Sequence, residues 1–456
     1  MDPQKAVIVG AGLAGSLLAT LLGQRGWVVD VYEKRSDPRL SAANGGRSIN
    51  LALSTRGIHA LGLAGVADNV LKLTIPMAGR MIHDLDGETH LQPYGKDDTE
   101  VIRSVSRGGL NNLLLDSAEA TGNVSCHFDT GCESIDFDSR IARFSGPHGI
   151  TETSTSYLFG CDGAGSVVRQ SLEKARNIQS TSDILPHGYK ELTIPAGPDG
   201  SHLLDNNALH IWPRKSYMLI ALPNLDGTFT LTLFMPNEGD ISFARYADAR
   251  SAKKFFEADF ADALSLMPDF EMDYDHNPVG MLGTVRCQPW SDDGYALLLG
   301  DAAHAIVPFF GQGMNCSFED CARLISMIDE GATGQWPELS TRYETERKPD
   351  TDAIATMALQ NYVEMRDSVS DPQYVLKRKI ALELELRYPS KFIPRYSMVT
   401  FNRLRYSVAL ERGKRQADIL NTLIQSISTI EDVDWKMAGD LVNQLPALTI
   451  NDGLVS

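Results

Sequence analysis

The chain has 456 residues and sets 42 Lys and Arg against 59 Asp and Glu, a formal charge of −17. That balance excludes a broad phosphate-binding surface, because nonspecific nucleic-acid affinity comes from clustered Lys and Arg, so no nucleic-acid partner is expected. With 43% hydrophobic and 22% charged residues, the composition is that of a core-forming chain rather than a disordered one, with a length prior of about three domains.

Six cysteines without a C-x-x-C pair are too sparse for a disulfide framework or a thiolate metal site, so no metal and a reducing compartment are expected. The first residues lack the basic and apolar regions of a signal peptide. No apolar run approaches the roughly 18 residues of a membrane span. A cytoplasmic location is the expectation.

In chain order, residues 6–9 (AVIV) read as a short strand, followed by Gly10, Gly12 and Gly15 in G-x-G-x-x-G spacing around Leu13 and Ala14. Residues 16–24 carry Leu17, Leu18, Leu21 and Leu22 at helical spacing, Gly26 ends the helix, and residues 28–33 form a second strand ending in Glu33. Strand, glycine turn, helix and strand with a terminal acid is the context that gives this spacing meaning. Gly10 permits the tight turn, Gly12 lets a pyrophosphate approach the backbone, and Gly15 lets the helix pack on the sheet. The helix N-terminus offers unpaired N–H groups to phosphate, and Glu33 can accept from ribose hydroxyls. This motif alone does not separate NAD from FAD.

Two later segments extend it. Residues 156–169 read as a strand running into Asp162-Gly163 and a helix start with Ser166 and Arg169. Residues 295–304 repeat the arrangement with Gly300 and Asp301, and Pro308-Phe309-Phe310-Gly311-Gln312-Gly313-Met314-Asn315 leads into a helix over about 316–328. A carboxylate at a strand end can bind a polyol, and a glycine-rich helix N-terminus can face an anion. Further on, residues 217–222 and 228–234 flank a five-residue loop, a hairpin in which Phe229, Leu231 and Leu233 face one way and Thr228, Thr230 and Thr232 the other. From about residue 351 the pattern is mostly helical; Ala417, Leu420, Ile424 and Ile427 form an apolar stripe opposite a charged face that includes Glu411 and Arg412.

The ordered set G-x-G-x-x-G, Asp162-Gly163, and Gly300-Asp301-Ala302-Ala303-His304 with its glycine turn is similar to the single-component FAD-dependent aromatic hydroxylases. Gly79-Arg80-Met81-Ile82-His83, Pro93-Tyr94-Gly95, Leu209-His210-Ile211-Trp212-Pro213, Asn361-Tyr362-Val363-Glu364-Met365 and the segment from Phe392 to Phe401 narrow the likeness. They resemble the kynurenine 3-monooxygenase family, over nearly the whole chain.

The resemblance implies an α/β fold: a Rossmann-like FAD-binding domain (residues 1–75, 100–180 and 280–350), an inserted antiparallel-sheet substrate domain (76–99 and 181–279) and a helical C-terminal region (351–456). It implies FAD and NADPH as cofactors without a separate nicotinamide domain. The reaction implied converts L-kynurenine and O2 to 3-hydroxykynurenine through a flavin C4a-hydroperoxide, in tryptophan catabolism. The flavin carries that chemistry, so no catalytic acid–base residue is sought. Arg80, Tyr94, Asn361 and Tyr396 match the family's positions for the substrate's amino-acid end, where an Arg fork and neutral donors suit a carboxylate. Phe309 is a wall for the reacting ring or ordinary packing, and Glu364 a neighbour of the site or a solvated helix charge. Asp301 corresponds to the ribityl-binding Asp. Flavin-cofactor contacts are further implied at Gly10, Gly12, Leu13, Ala14, Gly15, Glu33, Arg35, Arg47, Ala52, Arg107, Cys132, Asp162, Gly313, Met314 and Asn315. His304 is expected to make a structural hydrogen bond, and Gly108-Gly109 after Arg107 to loosen the helix there. The likeness is to the soluble bacterial type, without the C-terminal membrane anchor of eukaryotic members, and a homodimer is expected. A hydroxylase of another aromatic amino-acid derivative, an NAD-dependent dehydrogenase and a non-turnover flavin-binding module stay open at this level.

Overall fold

A computed structural model of the chain describes residues 4–40, 50–331, 336–367, 371–425 and 427–449. The chain divides into two compact units, one of Met1–Thr74, Val105–Ile184 and Gly283–Ala355, the other of Ile75–Ser104, Leu185–Leu282 and Thr356–Ser456.

The first unit is built on a sheet in the order Ser291–Asp292, Ala296–Leu298, Tyr157–Gly160, Lys5–Val9, Val28–Tyr32, Val124–His127. All neighbours pair parallel except the first two. Lys5–Val9 is central and buried beyond Lys5, which is why it reads as an unbroken apolar run instead of an alternating one. The helix Leu13–Gly23 follows and buries ten of its 11 residues. It packs on the helices Arg107–Glu119 and Gly313–Asp329 as well as beside the sheet. A helix apolar all round is a buried helix, and Leu17, Leu18, Leu21 and Leu22 are fully enclosed.

In the second unit the expected hairpin is present: Tyr217–Pro223 and Phe229–Pro236 pair antiparallel across a loop over residues 224–228. Phe229, Leu231 and Leu233 are buried and Thr230 and Thr232 half-buried, as the alternation requires. With Trp212 and Leu219 they form a core against Phe255, Phe256, Phe260 and Phe270 of the helical segment 249–276. Next along the sheet come Ala208–Arg214, Gly79–His83 and Thr89–Pro93. Gly79–His83 pairs parallel with Ala208–Arg214 and antiparallel with Thr89–Pro93.

The C-terminal part is helical: Pro372–Arg387, Arg395–Thr400, Tyr406–Leu423 and Trp435–Asn443, with a core that includes Leu376, Ile380, Leu384, Phe392, Ile419 and Val442. Of the expected stripe, Leu420, Ile424 and Ile427 pack partly buried against that core, but Ala417 is exposed, and the buried face of Tyr406–Leu423 includes Ala409, Arg412, Gly413, Gln416, Ile419 and Leu423. Gly413 explains the shift, since a Cβ there would lie 2.8 Å from Arg395 Cδ, so the two helices approach at the glycine. Arg412 is buried with its guanidinium donating to the carbonyls of Lys391 and, at 2.6 Å, Pro446; a guanidinium held by such bonds can lie inside. Among the described residues, no helix is long and apolar enough to cross a membrane.

Candidate functional site

In the first unit the three glycines of the opening loop have three different environments. Gly10 has φ +100°, and a Cβ there would lie 2.5 Å from the Cys161 carbonyl oxygen; a Cβ on Gly15 would lie 1.9 Å from the carbonyl oxygen of Gly10. Those two close the turn and seat the helix. A Cβ on Gly12 would meet no atom within 4 Å, so the loop presents bare backbone at that point. Ala11 is held on both sides: its N–H donates to Glu33 Oε2 at 3.0 Å, and its carbonyl accepts from Ser16 Oγ and Asn111 Nδ2, each at 3.1 Å. Glu33 also accepts from the backbone N–H of Arg35 at 3.0 Å and from its Nε at 3.1 Å. The buried carboxylate therefore braces the loop itself, a role its strand-end position did not announce. The Arg35 side chain is largely exposed.

The second motif has a similar division of labour. Asp162 Oδ2 accepts from the N–H groups of Val167 and Val168 at 2.6 and 3.2 Å, capping the helix Val167–Arg176, while Oδ1 is buried without a hydrogen-bond partner. Burial pushes this carboxyl above its usual range, with the hydrogen bonds at the helix start opposing. Burial and then the charge of Asp162 push the neighbouring Cys132 thiol up to about 12, so it is a neutral, unreactive group. Sequence reasoning missed the role of Arg169, which donates to the carbonyls of Ala302 at 2.7 Å and Ala164 at 2.6 Å and so ties the Asp162 loop to the Asp301 turn.

Asp301 opens the short helix Asp301–His304 after Gly300, whose φ is +57°, and its side chain is exposed. The helix Gly313–Asp329 begins without a side-chain cap, leaving the first-turn N–H groups of Gly313, Met314 and Asn315 available. The Asn315 side chain is otherwise engaged: it donates to the carbonyls of Ala52 and Gly311, both at 2.8 Å, and accepts from Ser54 N–H at 2.9 Å. Any contact it makes to a cofactor is through its backbone. Bare backbone at Gly12, an open acceptor at Asp162 and uncapped donors at Gly313 fit the diphosphate and polyol of FAD.

His304 makes the structural bond expected of it, Nε2 to Asp320 Oδ2 at 2.6 Å. Asp320 also accepts from Gly300 N–H at 3.1 Å and Arg347 Nε at 2.8 Å. Arg347 reaches Glu319 at 2.9 Å, and Glu319 pairs with Arg56 at 2.6 Å. Arg107, at the first turn of Arg107–Glu119, is exposed; Gly109 N–H donates to Ser106 Oγ at 3.3 Å, so the two glycines form an ordinary capped helix start instead of a loosened one. Leu13 is buried, Ala14 and Ala52 are half-buried, and Arg47 lies outside the described residues. Phe309 is buried in the turn Pro308–Phe310.

In the second unit, Arg80 stands on Gly79–His83 and is only 3% exposed. Its guanidinium carbon lies 5.6 Å from the Tyr94 ring centroid and 5.4 Å from that of Tyr396, and those rings stack at 5.1 Å with 11° between planes. Arg80 Nη1 is buried with no hydrogen-bond partner. Burial opposes its charge, yet the phenol groups of Tyr94, Tyr374 and Tyr396 together with Glu364 hold it above the ordinary arginine value. Two groups absent from the sequence-level set join it. Tyr374 donates to Glu364 Oε1 at 2.6 Å, and burial followed by Glu364 pushes its phenol up to about 12. Arg378 donates to the carbonyls of Pro93 and, at 3.3 Å, Tyr94. Glu364 is thus a member of this cluster and not a solvated helix charge. Asn361 is buried, its Nδ2 3.3 Å from Met365 Sδ. Tyr374 and Arg378 lie one turn apart on a helix that carries no motif, so only the fold could have found them.

A family model described as an FAD binding domain matches residues 4–358. A protein of Xanthomonas oryzae pv. oryzae named kynurenine 3-monooxygenase is 46% identical over 97% of both chains. Proteins of the same name from Stenotrophomonas maltophilia and Myxococcus xanthus are each 46% identical, over 97% of both chains for the first and 95% of this chain and 94% of the relative for the second. Among solved structures, 2-methyl-3-hydroxypyridine-5-carboxylic acid oxygenase superposes with a TM-score of 0.65 at 20% identity, over 84% of this chain and 98% of that one. For p-nitrophenol 4-monooxygenase of Pseudomonas putida the values are 0.66 and 18%, over 84% and 94%. These two likenesses concern the fold alone.

Proposed function

Because the chain belongs to the kynurenine 3-monooxygenase family of FAD-binding proteins, we propose that it hydroxylates L-kynurenine to 3-hydroxykynurenine with NADPH and O2. The observation that carries the substrate class is the buried Arg80 guanidinium, charged, flanked by two phenols and with one nitrogen unsatisfied. A buried cation with an open donor calls for an anion, and a carboxylate is the planar partner that an Arg fork takes best.

When bound, the flavin supplies the redox chemistry, accepting hydride from NADPH and activating O2. Gly10, Gly12, Gly15, Leu13 and Ala14 hold its diphosphate, Glu33 and Arg35 the adenosine end, and Asp301 the ribityl chain. Cys132, Asp162, Ala52, Arg47 and Arg107 complete the cofactor's contacts in this reading. The uncapped N–H groups at Gly313, Met314 and Asn315 stabilise negative charge on the reduced cofactor through the positive end of the helix.

Arg80 binds the α-carboxylate, and Tyr94, Tyr396 and Asn361 donate around it. Their burial excludes water and sets the orientation in which the electron-rich aniline ring reacts. Phe309 walls that ring. In this reading no side chain is required to move a proton from the ring carbon. The reading includes a cytoplasmic homodimer serving tryptophan catabolism. Its test is the purified holoenzyme with NADPH, O2 and L-kynurenine. Stoichiometric 3-hydroxykynurenine supports it; NADPH consumption without that product, or stimulation only by another aromatic amino acid, contradicts it.

A further inference from the structure

On the sheet face opposite Arg80, His83 closes a chain of hydrogen bonds. Its Nδ1 meets Asp262 Oδ2 at 2.8 Å, its Nε2 meets His210 Nδ1 at 2.8 Å, and His210 Nε2 meets the Asp205 carbonyl at 2.8 Å. The direction of each bond follows from its end. A carbonyl only accepts, so His210 Nε2 carries a hydrogen. Burial holds His210 down to about 4, so the ring is neutral and its Nδ1 is bare. His83 Nε2 therefore donates. At the other end Asp262 Oδ2 already accepts from Trp212 Nε1 at 2.8 Å. Burial works against its charge, but the bonds from His83 and Trp212 bring the carboxyl down to about 2, so it is ionised and accepts again from His83 Nδ1. Both ring nitrogens of His83 are thus engaged.

The position of this chain gives it a consequence. Gly79–His83 pairs parallel with Ala208–Arg214, with Met81 opposite His210 and Ile82 opposite Ile211. No hairpin turn sets the register of two strands 127 residues apart. A slip by one residue would move Arg80 to the opposite face. The His83–His210 bond crosses that pair diagonally, His83 stacks on Trp212 at 4.0 Å, and Arg214 Nη1 donates to the His83 carbonyl at 3.0 Å. A buried polar contact can set register, as a single buried polar residue does in a coiled coil.

We propose that His83 is a positioning residue: a ring hydrogen-bonded through both nitrogens, held between Asp262 and His210, that locks the register of Gly79–His83 and so fixes the face on which Arg80 stands. Its effect on turnover rests on the reading of Arg80 as the substrate anchor. The charged groups around it are Asp262 and Arg214. Asp259 stands behind them, bonded to Tyr217 and, through its carbonyl, to Arg214, and Asp84 pairs with His90 at 3.4 Å.

The test joins two measurements on the FAD-loaded protein: ring NMR of 15N-histidine-labelled enzyme, with His83 assigned by its loss in His83→Phe, and kinetics of wild type, His83→Phe and Asp262→Asn. The expected result is a His83 ring with both nitrogens in hydrogen bonds, its Nδ1 resonance displaced in Asp262→Asn. The kynurenine KM should rise roughly tenfold in either variant, with kcat within about twofold. A His83 ring with a nitrogen outside any hydrogen bond, or variants with the wild-type KM, would overturn the proposal. If His83→Phe does not fold, Asp262→Asn, assigned spectra and the same kinetics decide it. The NMR result stands whatever the substrate is, so a failure of the kynurenine reading remains separable.

Discussion

The guanidinium carbon of Arg80 lies 5.4 Å from the ring centroid of Tyr396, and Arg80 Nη1 is buried without a hydrogen-bond partner. The aromatic faces offset part of the cost of burying the cation but leave Nη1 unsatisfied. Arg80→Ala removes a charge-assisted contact of about 1.5–3 kcal/mol, so the kynurenine KM should rise roughly tenfold to a hundredfold. Flavin content, read from the visible spectrum, should be unchanged because the flavin contacts proposed above are made by other residues. Wild-type kinetics in this variant would remove Arg80 from the substrate's contacts.

Gly12 and Gly15 should fail in different ways. A Cβ on Gly12 meets nothing within 4 Å, and its φ of −75° suits alanine. Gly12→Ala should keep the thermal stability of the FAD-free protein while weakening FAD binding by roughly tenfold or more, since the methyl occupies the phosphate's approach. On Gly15 the Cβ would lie 1.9 Å from a backbone oxygen, and Gly15→Ala should destabilise the fold itself, by on the order of 3 kcal/mol. Thermal melts and flavin titrations of both variants check the contrast; equal effects would contradict it.

The motifs were legible because their residues act through backbone geometry close in sequence. The spacing of Gly10, Gly12 and Gly15 carries its own steric reason, and the alternation at Phe229, Leu231 and Leu233 carries the face of a strand. What stayed hidden is long-range. Glu33 looked like a ribose acceptor, but its carboxylate first reaches 22 residues back to Ala11. Arg412 looked solvated until the carbonyls of Lys391 and Pro446 were folded over it. Tyr374 and Arg378 belong to the Arg80 cluster only because their helix lands there.

Glu385 provides a pH test of the second unit. It is buried near Lys96 Nζ at 3.6 Å, while Lys96 pairs with Glu100 at 3.2 Å. Burial and the like charge of Glu100 push its carboxyl up to about 7 from an ordinary 4.5. A carboxyl whose folded value is raised binds more protons in the native state between those limits, so stability is full below about 4.5 and is lost as pH rises through about 7. Glu385→Gln should therefore raise the melting temperature at pH about 8, by up to about 3 kcal/mol of stability, and change it little at pH about 4.5. An equal shift at both pH values would refute the assignment.

Asp320 is the shared acceptor of His304, Gly300 and Arg347. Asp320→Asn keeps the shape but leaves the Arg347 charge undercompensated in the core, which should cost about 3–5 kcal/mol. Denaturant unfolding measures it. A loss below about 1 kcal/mol would mean the network is worth no more than an exposed pair.

The proposed function requires that an amino-acid substrate govern reduction of the flavin. Anaerobic flavin reduction by NADPH, followed by stopped-flow absorbance with and without L-kynurenine, tests it most directly. Flavin bleaching that L-kynurenine accelerates is expected, with that acceleration lost in Arg80→Ala at the same L-kynurenine concentration. Reduction at one rate regardless of L-kynurenine, with FAD fully bound, would contradict it.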